Sequence, residues 1–371
     1  MVLLTSMQLF SFLKKSEPEI SLGIDIGTVS IKVVEITRSG NNAILTNYAI
    51  LELANRNNSL NNALQSSGLH PLTGELRQFL ATIRKRGNFK TNIARLALPT
   101  FIAQTAIIDV PTEKSSEKQI ASHVYATAGN YLPLPAAETT MKWEDLGIVK
   151  NPDGTSSRKI LFMAIPTDQV MQYVKVAQDA GFQVVDVELE NISIARALTA
   201  DTTAPTLIID IGGRSSTCTV AKAGKTFCIT QTDFSSDSTT TAVAQALSIS
   251  PARAESLKRQ SAISLTAGSH ELSTIVAPII GAIIGEAARA KRLYEELTQE
   301  PVTKIVVCGA GSLLNGMEQY IQADLKQPVT RASSLGSAIS YPPELQGLLP
   351  ELNAHLTVAI GLALSKTKTP F

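Results

Sequence analysis

The 371-residue sequence predicts a two-lobed α/β protein with an inserted α+β block. Three observations predict it. The chain is longer than one hydrophobic core usually serves. Strand-like and helix-like patterns alternate along most of it, which argues for mixed sheets covered by helices. One unit also occurs twice: LGIDIG at 22–27 and LIIDIG at 207–212 each open a strand-turn-strand unit. With 44% hydrophobic and 18% charged residues, the chain can bury a proper core.

Residues 1–19 read as a short arm, and Met7 is an alternative start. Segments 22–27 and 31–36 read as strands, 43–51 continues the β pattern, and the Asn/Ser-rich stretch 52–71 reads as a loop. Residues 72–87 place Leu72, Leu76, Phe79, Leu80 and Ile83 at helical spacing. The α+β block follows, with strands at 93–98 and 105–110 bounded by Pro99 and Pro111, and a helix at 112–132 ended by LPLP. A turn at 151–157 joins two strand candidates, and 166–181 opens on Pro and closes on Gly, as helices do. Residues 184–198 read as strand then helix. The pattern restarts at 206–230 as strand, glycine turn, strand, turn, strand. Helices are expected at 238–247, 251–260 and 272–297, then strand, glycine turn and helix over 303–321, and an apolar helix at 358–365.

The bulk numbers exclude several classes. Lys plus Arg is 33 against 32 for Asp plus Glu, so nothing favours nucleic acid or an anionic membrane surface. Cys218, Cys228 and Cys308 form no CxxC pair, which argues against a disulfide scaffold or zinc site and for buried thiols. The apolar run at 275–285 is too short to span a bilayer, and the N-terminal residues do not read as a signal peptide.

The repeated turn carries the chemistry. Each copy is an apolar strand that ends in Asp, Asp25 or Asp210, followed by glycine: Gly27 in one, Gly212 and Gly213 in the other. Glycine lets the backbone turn sharply and approach an anion. Turn amides and the hydroxyls of Thr28, Ser30, Ser215, Ser216 and Thr217 can then bond phosphate oxygens. Asp25 and Asp210 would face Mg²⁺ through water, because that ion keeps much of its hydration shell. A single such turn also arises from hairpin chemistry alone. A third glycine turn, IVVCGAGSLLNGM at 305–317, strengthens the pair. There Gly309, Ala310 and Gly311 would let a base or ribose pack on the backbone, with Ser312 at a helix N-terminus. Residues 309–314 read GAGSLL and not GxGxxG, which disfavours a dinucleotide fold.

In this order and spacing the three turns resemble the actin/Hsp70/sugar-kinase superfamily, with its ribonuclease H-like lobes. Within it the chain resembles the PilM family of type IV pilus proteins over residues 20–365, in GIDIGTVSIKVVEI (23–36), residues 109–135, 159–198, 254–260 and 283–297, and VAIGLALS (358–365). The resemblance implies an ATP-binding cytoplasmic adaptor at the inner membrane, with at most slow hydrolysis, which reaches the membrane only through partners. Gly27, Thr28, Val29 and Ser30 would be the first phosphate loop, and Gly212, Gly213, Arg214, Ser215 and Ser216 the second. Lys32 lies where the superfamily often has a phosphate-reaching lysine; its plain reading is an exposed strand lysine. Glu190 matches the position that orients the attacking water, and reads equally as a helix N-terminal carboxylate. Glu255 and Lys258 resemble the adenosine-side pair, and are also an ordinary i,i+3 salt bridge. One departure is TDFSSDSTTTAVA at 232–244, where the family has a Gly-Gly turn.

The implied lobes are 20–89 plus 184–203, with a helix at 356–366 returning to them, and 204–355, with a helical subdomain at about 235–300. The insert is placed at 90–183 and the partner, the cytoplasmic N-terminal peptide of PilN, between Phe89 and Pro111. Two alternatives stand beside this: a small-molecule kinase, for which no further acidic motif stands out, and an FtsA-like filament protein, whose C-terminal amphipathic helix has no counterpart in ALSKTKTPF.

Overall fold

A computed structural model describes residues 19–40, 42–53, 73–114, 116–132, 134–151, 153–260, 271–337 and 339–366. The expected arm, but for Glu19, and most of the expected loop at 52–71 lie outside these residues.

The strands are β1 (Glu19–Ile26), β2 (Ser30–Ser39), β3 (Asn42–Glu52), β4 (Ile93–Leu98), β5 (Gln104–Pro111), β6 (Thr139–Lys150), β7 (Ser156–Pro166), β8 (Gln183–Leu189), β9 (Thr206–Ile211), β10 (Ser216–Lys222), β11 (Lys225–Thr232), β12 (Lys304–Cys308) and β13 (Val329–Arg331). They form two five-stranded sheets of identical plan, ordered β3-β2-β1-β4-β8 and β11-β10-β9-β12-β13. In each, the first three strands pair antiparallel and the last two join in parallel. The repeated sequence unit is therefore the founding hairpin of each lobe.

The helices are α1 (Thr73–Arg86), α2 (Glu117–Ala128), α3 (Thr167–Asp179), α4 (Glu190–Thr199), α5 (Ser236–Ala246), α6 (Pro251–Gln260), α7 (Glu271–Thr298), α8 (Met317–Leu325) and α9 (Leu349–Leu364). Helices α4 and α9 lie between the sheets. Ile194 and Ala195 of α4 and Val358 and Leu362 of α9 share one cluster with Ala97 of β4, Ile208 of β9 and Val306 of β12. The helix α9 presses so closely on β1 that a methyl group at Gly23 would stand 1.9 Å from the Ala359 carbonyl oxygen. Helix α7, and α9 taken together with the 3-10 turn before it (Pro343–Leu364), are apolar and long enough, by length and composition alone, to cross a membrane. Here Val276, Ile280, Ile283 and Ala287 of α7 and Leu356 and Ile360 of α9 are buried in the core. The three cysteines are free and buried.

Part of the stretch expected as the insert, 90–183, pairs within the first sheet. Strand β4 pairs with β1 on one side and β8 on the other, inside the first sheet. It can do so because its residues after Ile93 are buried on both faces, as a central parallel strand requires. Helix α3 also belongs to this lobe, with Val170, Tyr173, Val174 and Ala177 in the cluster that holds Leu76 and Leu80 of α1. What stands apart is β5–β7, ordered β5-β7-β6, with α2 on one face. This sheet leans on the second lobe: the Thr226 N–H donates to Glu144 Oε2 at 3.0 Å, and Lys225 Nζ to the Asp145 carbonyl at 2.6 Å.

Candidate functional site

The two Asp-Ile-Gly turns have the same geometry. The Gly27 N–H donates to the Ser30 carbonyl and the Gly212 N–H to the Ser215 carbonyl, each at 3.1 Å. Asp25 stands opposite Lys32 in the first hairpin, and Asp210 opposite Thr217 in the second. Folding places the turns face to face. A methyl group at Gly213 would lie 2.1 Å from Val29 Cγ2 and 3.1 Å from Thr28 Oγ1, so the second turn must be bare to fit against the first.

The third turn closes on the same spot. Parallel pairing of β12 with β9 sets Cys308 beside Asp210. Gly309 then takes φ +79°, and a methyl group there would meet Asp210 Oδ1 at 2.3 Å. Three glycine turns from distant parts of the chain thus meet around two carboxylates.

The electrostatics record that crowding. Lys32 Nζ bonds Asp25 Oδ2 at 2.9 Å, with Asp25 buried. Burial and the Asp25 charge push Asp210 up to about 6, against the opposing pull of Lys32. Glu190, at the start of α4, is pushed up to about 7 by burial and by the charges of Asp210 and Asp25. It accepts from both the Thr100 N–H (3.1 Å) and Thr100 Oγ1 (3.0 Å). Asp210 and Glu190 are thus buried acids raised by desolvation and by neighbouring negative charge, with one lysine beside them.

Several expected residues face elsewhere. Ser216 Oγ donates to the Phe234 carbonyl at 2.8 Å, and Ser312 Oγ to the Gly309 carbonyl at 2.7 Å. Ser312 lies in a single 3-10 turn, and α8 begins only at Met317 after Gly316 in a left-handed conformation. Lys258 is 5% exposed, held by Glu255, both oxygens of Ser236 and Thr240 Oγ1. Burial would raise Glu255, yet Lys258 and its other hydrogen bonds hold it at about 2. The pair, an i,i+3 ion pair, fastens α6 to α5. In place of the Gly-Gly turn, Ser235 caps α5 through a capping box with Ser238. The first-turn amides of Ser236 and Asp237 donate to the Gly212 and Gly213 carbonyls, so they bind the turn itself.

Sequence reasoning missed Thr100, Phe101 and Asn191. Asn191, fully buried, donates from Nδ2 to Thr217 Oγ1 (3.1 Å) and Thr219 Oγ1 (2.7 Å), which ties α4 to the second sheet. Its Oδ1 also accepts from Thr100 Oγ1. The Arg214 guanidinium sits 3.9 Å over the Phe101 ring centroid. The only local signal for this network was the pair Glu190-Asn191 at a helix start.

A family model described as type IV pilus assembly protein PilM matches residues 23–367. Among solved structures the fold is similar to that of a PilM–PilN type IV pilus biogenesis complex, with TM-score 0.76 and 20% identity over 93% of this chain and 97% of that one. It is also similar to a MamK double helical filament (TM-score 0.52, 13% identity, 94% and 99% covered). A third likeness is to ethanolamine utilization protein EutJ from Carboxydothermus hydrogenoformans (TM-score 0.51, 15% identity, 93% and 90% covered). The fold is thus the two-lobed, actin-like α/β fold that the repeated turn predicts.

Proposed function

The chain belongs to the PilM family of type IV pilus assembly proteins, and from that premise we propose that it is an ATP-binding adaptor of the pilus inner-membrane platform, docking the cytoplasmic N-terminal peptide of PilN. The observation that carries the nucleotide half is the convergence of three glycine turns on Asp25, Asp210 and Lys32. The turns offer backbone amides to phosphates, and Gly27, Thr28, Val29, Ser30, Gly212, Gly213, Arg214 and Ser215 would line them. Gly309, Ala310 and Gly311 would back the adenosine.

Among the described residues no three His, Cys, Asp or Glu side chains are grouped so as to hold a metal ion. A Mg²⁺ ion fits here as one shared with the phosphates and held by Asp25 and Asp210 through water. ATP would then act as a structural ligand that favours the closed lobes. Glu190, the candidate for orienting a water, is tied to Thr100, in keeping with slow turnover.

The partner half rests on the insert, which we place at 104–166, leaving 19–103, 167–203 and α9 to the first lobe and the rest to the second. Among the described residues the outer edge of β5 pairs with no strand. An extended peptide would add there through main-chain hydrogen bonds, with micromolar affinity, about −8 kcal/mol. Through such a partner the protein would sit at the inner face of the membrane, and other platform proteins would join it there.

Calorimetry with Mg-ATP tests the site: Asp25→Ala and Asp210→Ala, each folded by circular dichroism, lose binding. Unchanged affinity in both variants would remove the assignment. For the peptide, Ile107→Glu on β5 weakens anisotropy-measured binding about tenfold or more, roughly 1.4 kcal/mol. A peptide affinity indifferent to that change would place the partner away from β5.

A further inference from the structure

The turn Thr100–Ile102 leads directly from β4 of the first lobe into β5 of the insert. It is short and internally bonded, with Ile102 N–H to the Pro99 carbonyl (3.3 Å) and Ala103 N–H to the Thr100 carbonyl (3.0 Å). A displacement at one end therefore reaches the other with little slack. Its two leading side chains are gripped by the cleft. Thr100, 3% exposed, bonds Glu190 and Asn191, and Asn191 reaches Thr217 and Thr219 of the second lobe. Phe101 lies under Arg214, which belongs to the second glycine turn.

We propose that this turn couples the cleft to the insert: an anionic ligand at the second glycine turn draws Arg214 from the Phe101 ring and so resets the β5 edge. The proposal rests on the nucleotide reading above and names its consequence for the partner strand. Relative strengths decide the direction. A guanidinium over a partly exposed ring gains about 0.5–1 kcal/mol. A guanidinium on phosphate makes charge-assisted, often paired hydrogen bonds, roughly twice as strong as neutral ones. Between ring and phosphate, the phosphate is therefore the stronger partner for Arg214. The hydrogen bonds between the insert and the second lobe described above, Glu144 with Thr226 and Lys225 with Asp145, lie on β6, and Ile107 of β5 packs only in part against the core.

The test uses the full chain, calorimetry with Mg-AMP-PNP, and hydrogen exchange of the amides of 104–111. In the wild type, nucleotide changes β5 exchange severalfold. In Phe101→Leu the nucleotide no longer competes with the ring. It binds about two- to fivefold tighter, and β5 stops responding. Phe101→Tyr keeps the ring and keeps the response, which separates coupling from a folding defect. Weaker binding in Phe101→Leu, or a β5 response that survives there, overturns the coupling. Nucleotide bound by the wild type with β5 unmoved overturns the coupling alone. No binding by the wild type overturns the nucleotide reading and the coupling with it.

Discussion

Asp25 and Asp210 stand at equivalent places in two copies of one hairpin, yet their surroundings differ. The residue seven positions on is Lys32 in the first copy and Thr217 in the second. One lysine therefore serves two acids, and Asp210, which lacks its own, is pushed up to about 6 by burial and the Asp25 charge. Another raised acid lies on β6 of the insert. Glu144, under the second lobe, is pushed up to about 7 from 4.5, chiefly by burial, against the Thr226 hydrogen bond and the Lys225 charge. Its folded pKa exceeds the unfolded value, so its contribution to stability is complete below about pH 4.5 and is lost as pH rises through about 7. Glu144→Gln keeps an acceptor for Thr226 and removes the titration. Denaturant unfolding at pH 8 should find the variant more stable than the wild type by about 1–3 kcal/mol, discounted for partial exposure. At pH 5 that advantage should nearly vanish. Parallel pH profiles for the two proteins would show that Glu144 is not the titrating group.

At the scale of elements, α7 shows how a helix can be set by one face alone. Its buried face carries Leu272, Val276, Ile279, Ile280, Ile283, Ala287, Ala290 and Tyr294. On the other face Gly281 and Gly285 are exposed, and a methyl group at either would touch nothing within 4 Å. Glycine inside a helix costs about 1 kcal/mol against alanine through backbone entropy. Gly281→Ala and Gly285→Ala should each raise the unfolding free energy by about that amount, read from the denaturation midpoint. A loss of stability in either would mean that this face is covered by something that needs the glycine. Strand β4 shows the converse. Ala97, 3% exposed among β4, α4, β9 and α9, has no room for a charge. Ala97→Glu would therefore test the core and not the partner surface, whereas Ile107 on β5 is only half-buried against the core and serves as the probe once its variant is shown to be folded.

In the whole molecule the lobes are joined twice over. Helices α4 and α9 share one apolar cluster with both sheets, and Asn191 adds a buried polar tie. A ligand between lobes held this way acts mainly by preferring the closed state. Saturation with Mg-ATP at 100 times Kd should stabilise the fold by about 2.7 kcal/mol, seen as a raised Tm. ATP turnover should fall far below the ~1–10³ s⁻¹ of ordinary enzymes, measured as phosphate release with Glu190→Gln as the comparison. Turnover at enzyme rates that vanished in Glu190→Gln would make this a catalyst and not an adaptor.

The sequence by itself determined the local geometry. An apolar run, an aspartate and a glycine dictate a strand that ends in a tight turn, and that chemistry holds whatever surrounds it. Hence the two repeated turns, the GAG turn and the lobed α/β plan were legible from LGIDIG, LIIDIG and CGAGS alone. Only the tertiary structure decided what each side chain meets. Ser216 and Ser312 turn to nearby carbonyls, Lys258 disappears between two helices, and IARLAL pairs between β1 and β8 in the first sheet. Thr100, Phe101 and Asn191 were invisible because their partners lie about 90 to 110 positions away, or across the lobe boundary. Backbone conformation is set by neighbours in the chain, whereas a buried polar group takes whichever partner packing brings within about 3 Å.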